Sequence, residues 1–231
     1  MRPTLPPLFD GRRVRHPFAE AQRKAAAGAE AGLLLWDAGN ALDAGLVLIP
    51  EVPLRDAMAM LPVGAIGLQN ALGAIGPPEL PIHLEWEGAI RINGARCGAV
   101  RLATDARDPK AVPNWLVLGL TMPFEREDEA PGRTPDDTVL MEEGCGDVTP
   151  VALLEAWARH TLLWINRWDE EGAAPLHREW TDLSWEKGRT LSLRGRTGTF
   201  LGLDERLGAL IRGGTTALVP LTELLEPQEE S

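Results

Sequence analysis

At 231 residues, 44% hydrophobic and 25% charged, the chain has the composition of a folded globular protein. It is long enough for one large domain with a small appendage, and disorder is excluded. Its 34 acidic against 23 basic residues give a formal net charge of -11, which leaves no cationic surplus for a nucleic-acid backbone.

Residues 1–15, rich in Pro and Arg, read as an extended surface arm, and they hold no apolar run of signal-peptide length. Strong helix formers over 17–28 predict a partly exposed helix. The apolar runs 33–36 and 46–49, separated by the turn-rich Asp37-Ala38-Gly39-Asn40, predict two paired, buried strands. Leu54, Met58, Leu61, Ala65, Leu68 and Leu72 recur at spacings of three and four, so 53–72 should be a helix packed on a sheet, stopped by Gly76-Pro77-Pro78.

The runs 89–92 and 95–102 flank Asn93-Gly94, the signature of a type I′ β-hairpin. Residues 115–120 read as another buried strand, and 125–138 as an exposed loop. Thr149-Pro150 is an N-cap followed by proline at the first helical position, opening a helix over 150–170. Trp157, Trp164 and Trp168 have helical spacing and read as core packing. From Gly188 onward, short strands at 190–193, 198–203, 209–211 and 217–220 divided by Gly indicate a small SH3-like β-barrel.

The expected fold class is therefore α+β: a central mixed sheet with packed helices over 1–187, then a small barrel over 188–231. Cys97 and Cys145 lack any Cys-x-x-Cys spacing and read as free thiols in a reducing compartment. With no stretch read as a membrane span, the expectation is a cytoplasmic protein without nucleic acid or membrane as partner. The stretch 142–147 carries metal-ligand residue types but no nearby His, and reads as a solvated turn; no metal site is predicted.

On an Asn93-Gly94 turn, Arg91 falls opposite Arg96. Two facing cations repel, at a cost of a few tenths of a kcal/mol to ~1. An anion between them would reverse that cost, which makes Arg91 and Arg96, with Gly98 allowing close approach, a candidate carboxylate or phosphate site. The competing reading is that both guanidiniums splay into water or are neutralised by Glu85 and Glu87.

The stretch HLEWEGAIRINGARCGAVRLA resembles the central motif of the biotin/lipoyl protein ligase family, in which a Trp-Pro-Asn-Asp turn leads into a hairpin carrying Lys and paired small residues. Trp86 matches the Trp, Arg96 falls at the Lys, and Gly98-Ala99 at the small pair. Residues 117–123 stand where the family has a strand ending Gly-x-Gly-Ile-Asn, and the Trp-rich helix and terminal barrel follow in the family's order.

The resemblance implies ATP-dependent transfer of a biotin- or lipoate-type acyl group to a carrier-domain lysine through an acyl-adenylate, with Arg96 in the catalytic electrostatic role. ATP and Mg would be the cofactors and biotin or lipoate the substrate. Trp36, Asp37, Gly39, Asn40, Trp86, Arg91, Gly98, Ala99, Gly119 and Thr121 are the implied ligand-binding residues. Expected partners are a small carboxylic acid, a biotinyl or lipoyl carrier domain and a second copy in a homodimer.

The chain departs from the pattern at several positions: Gly88 and Ala89 replace the Asn and Asp, Pro123 replaces the closing Asn, and Asp37 to Asp43 is acidic where the family has an Arg- and Gly-rich loop. Arg for Lys is not a conservative change at a tight site. Beside the ligase reading stand a catalytically degenerate relative that binds a small acid or carrier protein, and a pure protein-interaction module.

Overall fold

The structure, a computed structural model, describes residues 2–126 and 136–225. Seven strands form the main sheet: β1 (Asp10–Arg13), β2 (Leu33–Ala38), β3 (Ala41–Leu48), β4 (Ile82–Leu84), β5 (Ala89–Ile92), β6 (Ala95–Thr104) and β7 (Leu116–Pro123), in the order β1-β2-β3-β7-β6-β5-β4. β1 runs parallel to β2 and the other neighbours pair antiparallel, so the sheet is mixed as expected. The arm expected over 1–15 thus contains an edge strand. Its sequence, DGRR, is polar and largely exposed and so has no alternation to betray it, and α1 (Pro17–Ala26) then carries the chain across one face of the sheet to reach β2.

The two faces divide the apolar residues of each strand. Leu34, Trp36, Ala44 and Leu46 join the large core, whereas Leu33, Leu35 and Val47 pack with Ala21 and Ala25 of α1 in a smaller cluster. Over the large core lie α2 (Leu54–Ala57), α3 (Met60–Ile75) and α4 (Pro150–Glu171). The single helix expected over 53–72 is broken at Met58 and Ala59. Pro62 has no N–H to give Met58, and the turn tightens as Leu61 N–H donates to the Met58 carbonyl at 3.1 Å.

By length and composition the segment Leu54–Ile75 would pass as a membrane span, contrary to the expectation that no stretch does, but it is mostly buried in the core. Trp157 Nε1 donates to the Gly64 carbonyl at 3.0 Å and Trp164 Nε1 to Asn70 Oδ1 at 2.8 Å, so both indoles tie α4 to α3. Thr149 Oγ1 accepts from Ala152 N–H and caps α4 as expected.

After α5 (Ala174–Leu183), the chain forms β8 (Thr190–Leu193), β9 (Arg196–Leu203), β10 (Ala209–Arg212) and β11 (Thr216–Val219). These pair as an antiparallel meander, the small C-terminal barrel of the expected α+β fold. Its Phe200, Leu203 and Leu207 enter the same apolar core as the main sheet.

Candidate functional site

The hairpin forms in the expected register. Asn93 and Gly94 take the left-handed conformation, with φ of 50° and 89°, and Arg91 stands opposite Arg96. Between the two cations lies the carboxylate of Glu85, a residue only 6% exposed. Arg96 donates to it from Nε at 2.9 Å and from Nη2 at 2.6 Å, and Arg91 donates from Nε. Burial pushes the Glu85 carboxyl up, but the hydrogen bonds from Arg96 and Arg91 outweigh it and hold the group below its usual range. Arg91 is nearly enclosed: it also donates to the Gly94 carbonyl and lies over the Trp185 ring at 4.7 Å. The Arg96 side chain remains 53% exposed.

The turn between β4 and β5 explains why Glu85 sits there. Glu85 N–H donates to Ala89 O, and Gly88, at φ 97°, docks so closely on β6 that a Cβ would lie 2.3 Å from the Val100 carbonyl. The Gly standing at the family's Asn is thus required by backbone packing. Glu87, the other expected counter-ion, pairs instead with Arg194 of the barrel at 3.4 Å.

Trp86, implied as a pocket wall, is fully buried, and its Nε1 donates to the Leu207 carbonyl at 2.9 Å. Its backbone N–H donates to Glu186 at 2.8 Å. Burial pushes the Glu186 carboxyl up to about 7 against that hydrogen bond, and the charge of Glu85 adds to the rise. Trp36 is likewise in the core, with no hydrogen-bond partner for its Nε1 among the described residues.

Three of the implied ligand residues do come together. Asp37, Asp43, Thr121 and Ala99 form one row across β2, β3, β7 and β6. Thr121 Oγ1 donates to Asp43 at 2.7 Å, while the hydrogen bond from Arg13 holds Asp37 below its usual range. The row carries negative charge. In the next row, Gly45 and Gly119 lie side by side between Leu35 and Arg101. There a Cβ on Gly119 would meet the Phe18 ring at 2.4 Å, so α1 takes the space that was assigned to a ligand.

At Gly98 a Cβ would lie 2.5 Å from the Thr121 carbonyl, so this glycine serves the close approach of β6 to β7. Gly39 and Asn40 form the exposed β2–β3 turn, whose Asn40 carbonyl accepts from Phe124 and Glu125. Burial pushes the Cys97 thiol up to about 12, which removes it as a nucleophile. Among the described residues, no group of three His, Cys, Asp or Glu side chains could hold a metal ion. Residues 127–135 of the expected acidic loop lie outside the described residues.

A cavity of about 940 Å³ opens where β6 outruns β5, between α1, the start of α3 and the barrel. Arg101, Arg107 and Arg194 line it with Glu87, over apolar walls that include Phe18 and Leu61. None of the residues implied from the sequence lines it.

A model of the biotin/lipoate A/B protein ligase family matches residues 5–182. The chain belongs to this family. A model for a domain of unknown function (DUF4444) matches residues 188–227. Over 98% of this chain and 100% of the other, the ligase-family fold is shared with a biotin protein ligase-like protein of unknown function from Silicibacter sp. tm1040, at 51% identity and a TM-score of 0.93. Biotin protein ligase from Aquifex aeolicus is 18% identical over 92% of this chain and 96% of that one, with a TM-score of 0.74. The same enzyme in complex with biotin and ATP gives 16% identity and a TM-score of 0.72 over 91% of this chain and 95% of that one. At such identities the likeness speaks for the ligase-family fold alone. No curated protein matches.

Proposed function

We propose that this ligase-family chain binds a small carboxylic acid or related anion without joining it to ATP. One observation carries the reading: Glu85 is placed between Arg91 and Arg96 and accepts hydrogen bonds from both. Adenylation brings a carboxylate against an anionic phosphate, so the protein must supply uncommitted positive charge where negative charge develops. A guanidinium held by an internal carboxylate supplies little. The β2–β3 turn adds none, because Gly39 and Asn40 are uncharged and the group leading into them is the carboxylate of Asp37, tied to Arg13 at 2.9 Å. The residues of hairpin and turn therefore do not fit a triphosphate with its Mg.

On this reading residues 1–187 are the ligase-like unit and 188–231 its barrel, working in the cytoplasm. A carrier domain or a second copy of the chain would be a partner in recognition rather than an acyl acceptor. The competing reading, ATP-dependent transfer of biotin or lipoate with Arg96 in the electrostatic role, draws on the exposed half of the Arg96 side chain.

ATP–pyrophosphate exchange by the purified chain with biotin, lipoate or octanoate separates the two. The expected outcome is exchange at background with every acid. Acid-dependent exchange that is lost in Arg96→Glu would establish the ligase reading instead.

A further inference from the structure

We propose that the cleft between β6 and the C-terminal barrel binds an elongated small molecule with an apolar body and an anionic head group, carboxylate or phosphate. The inference rests on the non-adenylating reading and moves its ligand away from the hairpin.

The cleft follows from the strand lengths. β5 accompanies β6 only as far as the Ala89–Ala99 pair, and at Val100 the β6 N–H is taken by the Gly88 carbonyl. Beyond that point β6 continues to Thr104 with β7 on one side and no described strand on the other. Leu102, Ala103 and Thr104 therefore present a strand edge to the cavity. Opposite them, Leu224 and Leu225 close the space from the end of the barrel, and Met58 and Leu61 line it from the helices. A volume of about 940 Å³ is that of a small-molecule site, where apolar walls hold the body and a few polar groups fix the head.

The charges set the ligand's sign. In a chain of net charge -11, the charged side chains lining this cavity among the described residues are Arg101, Arg107, Arg194 and one carboxylate, Glu87. Arg101 has no carboxylate partner among the described residues, and its guanidinium lies over the Phe18 ring at 4.1 Å. Arg194 sits at the tip of the β8–β9 turn in the left-handed conformation, φ 47°, a costly place for a side chain of this size. Its contact with Glu87, at 3.4 Å and with both groups about two-fifths exposed, is a weak surface pair that an incoming anion can replace. Unlike Arg91 and Arg96, Arg101 and Arg194 are not neutralised by a buried carboxylate among the described residues. A carboxylate or phosphate would find charge-assisted donors there, while its apolar body covers Leu61 and Leu225.

The test is isothermal titration calorimetry of the full chain with octanoate, octyl phosphate and neutral octanamide. One or both anions bind and octanamide binds at least about tenfold more weakly, a difference of roughly 1.4 kcal/mol. The tighter anion identifies the head group. The double variant Arg101→Gln/Arg194→Gln weakens the anion at least about tenfold. Leu225→Trp, which fills the cleft without altering charge, abolishes binding, and circular dichroism confirms that both variants fold.

Arg96→Gln leaves the affinity unchanged. Equal binding of octanamide, or no binding of any probe to the wild-type chain, overturns the proposal. So does an affinity that resists the cleft variants but falls with Arg96→Gln; the hairpin then holds the anion, and the non-adenylating reading survives. Acid-dependent pyrophosphate exchange would remove that reading, whereas the titrations of the cleft variants decide the cleft itself.

Discussion

Arg96 and Arg101 lie on the same strand, yet their surroundings make them different kinds of charge. Arg96 shares the buried carboxylate of Glu85 with Arg91, whereas Arg101 rests on the face of Phe18 at the wall of a cleft. A cation that meets a buried carboxylate becomes part of the protein's own stability. One that meets an aromatic face keeps its charge available to a partner that comes and goes. In a family whose chemistry needs positive charge, the position of an arginine on a strand says less than the identity of what it touches.

The largest test removes the carboxylate. Glu85→Ala leaves Arg91 enclosed and facing Arg96 with nothing between them, and breaking a buried ion pair on one side costs ~3–5 kcal/mol. Urea denaturation should show a loss of that size. A loss below about 1 kcal/mol would mean that the hairpin arginines find other partners and are free to bind an anion.

Next is the pH dependence of the neighbouring carboxyl. The folded value for Glu186, about 7, lies above the ordinary 4.5. Its stabilising contribution is thus complete below about pH 4.5 and is lost as pH rises toward and through about 7. At one pKa unit per ~1.4 kcal/mol, the whole change is on the order of 3–4 kcal/mol, of which about 2–3 kcal/mol falls between pH 5 and 8. Glu85, whose folded value is lowered, acts in the opposite direction, losing its contribution as pH falls below the usual carboxylate range. Denaturant midpoints from pH 5 to 8 should fall for the wild-type chain and flatten in Glu186→Gln. A slope unchanged by that substitution would show that another group titrates.

A smaller effect is expected where α1 meets the sheet. Gly119→Ala drives a methyl group into Phe18 and should destabilise by ~1–3 kcal/mol while disturbing Arg101, whose guanidinium lies over that ring. Thermal denaturation measures the first and anion titration the second. Smallest is Arg101→Gln, expected to change stability by less than about 1 kcal/mol because no carboxylate among the described residues pairs with this cation, which rests on Phe18. A large loss would place Arg101 on the same structural footing as Arg96.

What was legible in the sequence follows the range of the interaction that decides each feature. The Asn93-Gly94 hairpin and the Thr149 cap of α4 are local chemistry, and both stand where the residues placed them. The parallel edge strand β1 was hidden because its pairing with β2 is made across the whole of α1, and the short α5 because HREWTD carries few apolar residues to mark a period. At the hairpin, the register of Arg91 against Arg96 was legible, but its meaning depended on where the turn after β4 puts Glu85 and Glu87. That turn is set by the close contact of Gly88 with Val100, a tertiary fact. The cleft was invisible for the same reason: Arg101 and Arg107 belong to one stretch and Arg194 to another far along the chain, brought together only when β6 outruns β5 and the barrel folds back.

The hydrogen bond from the Trp86 indole to the Leu207 carbonyl spans the junction between the two sheets, and it has a consequence for how the chain melts. Neither side of that junction is a finished surface. A main sheet stripped of the barrel would expose a large aromatic ring with an orphaned N–H, and a detached barrel would show water the Leu203 and Leu207 side chains that now share the common core. The two units are therefore bound into a single cooperative transition, visible in calorimetry as one endotherm whose van't Hoff enthalpy matches the heat absorbed.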